Sequence, residues 1–152
     1  QTAKNFSTAL NTNVLGIFSS TKIFYKLLKK SKNAQIINLG SIYGMVSGDP
    51  KIYPNEKVTS DVYAASKAAI IQLTKYYAIH LSKYKIRVNC VSPGGIFNNQ
   101  NKLLVKNYKK KVPINRMAYV KEIVASIEFL LNDDCNYING HNLIVDGGFT
   151  AW

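Results

Sequence analysis

The chain has 152 residues, 47% of them apolar, and a net charge of +12, which suits one ordinary domain with a core of its own. No apolar run approaches the ~18 residues of a membrane span, and the opening QTAKNFSTAL holds no apolar stretch of a signal-peptide kind. The positive excess is nearly all lysine, with Arg87 and Arg116 the only arginines, and arginine is the usual residue for bidentate phosphate and base contacts, so nucleic acid is not the expected partner.

Cys90 and Cys135 stand far apart with no zinc spacing, so reduced thiols in a cytoplasmic protein and no metal site are expected. The basic clusters KLLKKSK (26–32) and VKNYKKK (105–111) read as a solvated helix face and a loop.

Residues 4–30 predict one long helix, because Phe6, Ala9, Leu10, Val14, Ile17, Phe18, Phe24, Leu27 and Leu28 recur at helical spacing. AQIINL (34–39) is a short apolar run closed by Gly40, the pattern of a buried strand. Gly44, Gly48, Pro50 and Pro54 make 42–60 a loop. Ser60 or Asp61 caps the next helix, which runs to about Tyr84 and is apolar nearly all round. Such a helix is buried on more than one side, against a sheet and a partner helix.

IRVNCV (86–91) predicts a second strand, ending at SPGG, and a polar, lysine-rich loop follows over 98–115. A helix covers 120–132 with Glu122 in its first turn, and NLIV (142–145) is a third strand stopped by DGG. Helix and strand alternate, which implies parallel strands in a layered α/β fold. Three strands make a small sheet, and a long buried helix with no strand before it looks like the second half of a larger unit.

The chemistry starts at DVYAASKAAI (61–70), where Tyr63 and Lys67 are four apart on a helix and so point the same way. A free phenol ionises near ~10 and shuttles protons poorly at neutral pH, but a nearby ammonium favours the phenolate. Such a pair can give and take the proton of a carbonyl/alcohol interconversion. Ala64, Ala65 and Ser66 would let a flat ligand approach the helix. The same spacing also occurs in helices where both side chains are merely solvated. Ser41 adds a second group: it follows the strand IINL through Gly40 and so sits at a strand's carboxyl end, where ligands bind in open parallel sheets. A turn serine bonding its own backbone is the plainer alternative.

NVLG (13–16), INLGSIYG (37–44), YAASK (63–67), IRVNCVSPGGI (86–96), RMAYVKEIVASIEFLL (116–131) and INGHNLIVDGG (138–148) follow in order. Together they closely resemble the classical short-chain dehydrogenase/reductases, from about residue 8 to residue 148. The resemblance implies a Rossmann-like doubly wound parallel sheet, here only its C-terminal half, and NAD or NADP as cofactor. It implies that Tyr63 is the catalytic acid/base, that Lys67 bonds the nicotinamide ribose and assists the tyrosine, and that Ser41 holds the substrate oxygen. Asn13 matches the asparagine that anchors a water in the proton relay. Pro93, Gly94 and Ile96 fall where the family's backbone lines the nicotinamide, and Asn98 stands where threonine is common. It also implies a homodimer or homotetramer formed through helices 4–30 and 61–84.

Two departures qualify the resemblance. The family's glycine-rich turn TGxxxGxG and its NAG motif are not in these residues. The chain is therefore expected to be the C-terminal part of a single domain, binding cofactor poorly and turning nothing over by itself. The segment MVSGDPKIYPNEKVTSD (45–61) is longer than usual for the family; it either shapes a substrate pocket or is a plain surface loop. SIYG and its long following loop resemble members that act in flagellin modification or surface-sugar biosynthesis, whereas the C-terminal third resembles 3-oxoacyl-carrier-protein reductases. The expected activity is NAD(P)-dependent interconversion of a small-molecule carbonyl and a secondary alcohol, on a sugar or an acyl substrate. The rival is a non-catalytic scaffold that keeps the fold.

Overall fold

The computed structural model describes residues 2–54 and 59–152. Three parallel strands, β1 (Ala34–Leu39), β2 (Ile86–Pro93) and β3 (Asn142–Val145), form one sheet in the order β1-β2-β3. Ala34 pairs with Ile86 and Leu39 with Val91, while Cys90 pairs with Asn142 and Pro93 with Val145. The helices are α1 (Ala3–Leu10), α2 (Gly16–Leu28), α3 (Asp61–Leu81), α4 (Lys102–Lys111) and α5 (Val120–Leu131). Among the described residues no helix is long and apolar enough to cross a membrane.

Both faces of the sheet are covered, and the strand alternation says by what. On β2, Ile86, Val88 and Cys90 point at α3, where Ile70, Ile71, Tyr77, Ala78 and Leu81 meet them. Val91 points the other way, into a core with Ile123 and Leu130 of α5 and Leu143 and Val145 of β3. This double covering is why the strands read as continuous apolar runs rather than alternating ones.

The expected helix over 4–30 is a single rod with an irregularity. A π-helical segment, Asn11–Leu15, joins α1 to α2, and such bulges are common at functional sites. Its burial differs from expectation: Thr21 is the one buried residue of α2, and Ile23 and Leu27 are 72% and 64% exposed. Hydropathy shows which side chains favour burial, not whether a neighbour is present to cover them. On α3, Ile79 is likewise 73% exposed. Ser60, rather than Asp61, caps α3 by accepting the Tyr63 N–H, and the helix closes through a 3₁₀ turn at Ser82–Tyr84 to a left-handed Lys85.

The largest departure is α4, which occupies the middle of the expected 98–115 loop. Asn101 caps it by accepting the backbone N–H of Leu103 at 2.8 Å. Leu104, Val105 and Tyr108 make an apolar stripe packed with Ile52, Val112 and Met117. Lysines at 102, 106, 109, 110 and 111 conceal that stripe in the sequence, so VKNYKKK is largely the solvated face of a helix.

Candidate active site

Ser41 directly follows the β1–Gly40 junction. Gly40 is required there: a Cβ would lie 2.4 Å from Ser92 Oγ and 2.8 Å from Cys90 Sγ. Ser41 Oγ accepts the Tyr43 N–H at 3.2 Å and opens a 3₁₀ turn, Ile42–Gly44. Gly44 lets that turn lie against α3, since a Cβ would come within 2.7 Å of the Lys67 backbone. The turn serine of the plainer reading and the strand-end hydroxyl are thus one residue: its oxygen takes a local hydrogen bond, and among the described residues no acceptor takes its own proton.

Ser41 and Tyr63 line one cleft of about 290 Å³, together with Gly94 and Gly95 at the end of β2. Lys67 lies one turn along α3, its Nζ 5.6 Å from the centre of the Tyr63 ring. That Nζ donates to the Leu39 carbonyl at 2.8 Å, and burial pulls the ammonium below its ordinary value. Lys67 and Asn13 open into a neighbouring cavity of about 520 Å³, between β1 and the α1–α2 rod. Asn13, inside the π segment, donates from Nδ2 to Ser66 Oγ at 2.9 Å, and Ser66 donates in turn to the Tyr63 carbonyl at 2.8 Å. Ser66 is fully buried. Its small size therefore serves packing between helices, not the approach of a ligand expected from the sequence.

The other expected residues divide. Pro93 ends β2, and Gly94 donates to the Val145 carbonyl at 3.0 Å, which fixes the backbone beside the cleft. Ile96 makes an isolated parallel bridge with Ala118 and packs on the α5 core, and Asn98 is exposed. Neither of these two lines the Ser41–Tyr63 cleft.

Among the residues that line the cleft, sequence reasoning did not single out Tyr43, Tyr53, Thr59 or Tyr108. Tyr53 donates to Tyr43 Oη at 2.6 Å and lies 2.7 Å from Thr59 Oγ1. Burial pushes the Tyr43 phenol far above its ordinary value. Tyr108 accepts the Gly95 N–H, and burial raises its phenol as well. The available signal was the density of tyrosines around SIYG and KIYP. Of the long 45–61 segment, Ile52 is buried and Tyr53 joins the cleft, while 55–58 lie outside the described residues.

The residues present fit one end of a nicotinamide cofactor. An ammonium and a phenol share a helix face beside two strand ends, and Gly94 leaves room for nothing larger, since a Cβ would lie 2.7 Å from Tyr108 Oη. A glycine-rich pyrophosphate turn is not among these residues.

A family model described as enoyl-(acyl carrier protein) reductase matches residues 1–150. D-arabinitol 2-dehydrogenase (ribulose-forming) of Candida tropicalis is 35% identical over 159 residues, covering 99% of this chain and 54% of that protein. Post-translational flagellin modification protein A of Campylobacter coli is 32% identical over 142 residues, covering 93% of this chain and 56% of that protein. A short-chain dehydrogenase from Leptospira borgpetersenii, solved with bound NAD+, superposes with a TM-score of 0.92 at 41% identity, covering 99% of this chain and 58% of that one. The chain spans about half the length of the curated relatives it matches. It belongs to the classical short-chain dehydrogenase/reductase family.

Proposed function

We propose that this chain supplies the acid–base and substrate-holding half of an NAD(P)-dependent oxidoreductase that interconverts a carbonyl and a secondary alcohol, on a sugar or sugar-derived substrate. The observation that carries this reading is the shared cleft of Ser41 and Tyr63 at the carboxyl ends of β1 and β2, with Lys67 one turn away. A bound nicotinamide would supply the hydride, and Tyr63, Lys67 and the Gly94 backbone would hold its reactive end.

The chain's own groups divide the remaining work. Ser41 donates its unspent proton to the substrate oxygen and orients it. Tyr63 gives that oxygen a proton in reduction and takes it back in oxidation. The Lys67 ammonium, fixed by Leu39, favours negative charge on the phenol oxygen. Asn13 uses Nδ2 on Ser66 and keeps Oδ1 as an acceptor for a relay water. The hydrogen bonds from Asn13 through Ser66 to the Tyr63 carbonyl tie the π segment to the first turn of α3, so they also set the position of Tyr63.

The sugar-derived substrate is supported by the polyol and flagellin-modification relatives. A second reading, reduction of a carrier-linked 3-oxoacyl group, is favoured by a groove of about 720 Å³ bordered by Lys102, Lys106, Lys109 and Lys110, which suits an acidic carrier. It predicts turnover that falls steeply with salt; the sugar reading predicts a shallow dependence. The apolar side chains left exposed on α2 and α3 support a homodimer or homotetramer through those helices.

The test is turnover of ketoses and of an acetoacetyl thioester with NADH and NADPH, in a protein that carries this chain at the length of its relatives. Ser41→Ala is expected to cut kcat by about 10²-fold or more. Absence of turnover with every substrate and both cofactors contradicts the reading.

A further inference from the structure

The cleft contains a hydroxyl chain that the acid–base chemistry does not use. Tyr53 spends its single proton on Tyr43 Oη, so the 2.7 Å contact with Thr59 requires Thr59 to donate to Tyr53. The chain therefore runs from Thr59 through Tyr53 to Tyr43. Tyr43 accepts at its oxygen, and among the described residues no acceptor takes its own proton. Hydroxyls in series polarise one another, which makes the last donor in line the strongest.

Three features say what that donor would meet. Ser41, Tyr43, Tyr53, Thr59 and Tyr63 all line the same cleft, so the chain lies beside the groups assigned to the reaction. Among the described residues no charged side chain lines it, so a carboxylate or phosphate would find no partner there. Burial keeps Tyr43 protonated across the working pH range, so it remains a donor. An apolar chain in this position would leave that donor unpaired, which disfavours its binding.

We propose that Thr59, Tyr53 and Tyr43 form a hydroxyl-recognition subsite that selects substrates bearing an uncharged hydroxyl in addition to the group that reacts. This rests on the oxidoreductase reading above and sharpens it: the subsite favours polyhydroxylated ketones and alcohols over acyl chains. Tyr43 is the contact residue. Tyr53 and Thr59 are positioning residues that fix the direction of its proton.

The test uses a protein carrying this chain at the length of its relatives, with L-xylulose and a set of analogues each lacking one hydroxyl. Wild type is expected to prefer L-xylulose over one analogue by about 10- to 100-fold in kcat/KM. In Tyr43→Phe that preference collapses towards unity, and in Tyr53→Phe it falls part of the way. A loop merely loosened by either substitution would slow all substrates alike and leave the ratio intact, which would overturn the subsite. Turnover of an acetoacetyl thioester without turnover of L-xylulose would overturn the subsite and leave the oxidoreductase reading standing. With no turnover of any substrate, that reading fails and calorimetry decides the subsite. L-xylulose binding weakened about tenfold or more by Tyr43→Phe supports it, and binding that is absent or unchanged overturns it.

Discussion

The two cavities that share α3 are built differently. The Ser41–Tyr63 cleft is walled by residues that bond and pack against one another: Tyr53 bonds Tyr43, Tyr108 holds Gly95, and Ile52 packs beneath α4. The cavity along β1 has Asn13 and Lys67 at one end and Phe24 and Leu28 at the other, beside apolar side chains of α2 that remain exposed. The Tyr63 phenol faces the finished cleft, and the Lys67 ammonium faces the open cavity. A ligand that touches both has to lie at the carboxyl end of β1, where Leu39 holds Lys67. The pairing of Tyr63 with Lys67 is thus local in sequence but bridges two environments.

Substitutions can separate the contributions of the two regions. On the open side, Lys67→Met removes the ammonium bonded to Leu39. We expect kcat to fall by about 10²- to 10³-fold, with cofactor affinity falling as well, read by steady-state kinetics and cofactor titration. Unchanged cofactor affinity would confine the role of Lys67 to the finished cleft. In the core shared by β2 and α3, Ile86→Ala leaves a void at a fully buried position and should cost about 2–5 kcal/mol in urea unfolding. Asn13→Ala breaks the link to Ser66 and should cost about 0.5–1.5 kcal/mol, while slowing turnover more than that loss of stability explains if Asn13 also holds a relay water.

The smallest effect is expected at a pair that lines neither cavity. Arg116 grips Glu122 with two hydrogen bonds of 2.6 and 2.7 Å, and Glu122 also accepts the Tyr119 N–H. Together they hold the Glu122 carboxyl down at about 2, against an ordinary value of 4.5. A carboxyl depressed in the folded state stabilises the fold above its ordinary value, and that support is lost as pH falls from about 4.5 through about 2. Glu122→Gln should therefore lower the thermal midpoint at pH 7 and leave it little changed at pH 2. An equal drop at both values would assign the loss to packing instead.

What the sequence revealed follows the range of the interactions involved. The strands were legible because burial on both faces leaves unbroken apolar runs, as in AQIINL and IRVNCV. Tyr63 and Lys67 were legible because helical spacing alone puts them on one face. Helix α4 was not, because its apolar stripe of Leu104, Val105 and Tyr108 is interleaved with lysines that dominate the local composition. The Thr59–Tyr53–Tyr43 chain was not, because its two tyrosines stand ten positions apart across short turns and bends and no periodicity signals the contact. The link from Asn13 to Ser66 spans 53 positions and only the packed helices bring it together.

Tyr63→Phe tests the central claim most directly, because it deletes one hydroxyl from the shared cleft and leaves the ring in place. In a protein carrying this chain at the length of its relatives, we expect kcat to fall by about 10²- to 10⁴-fold while cofactor binding, measured by titration in the same variant, stays close to that of the parent. Turnover at the parental rate would contradict the assignment of the phenol as the group that moves the proton.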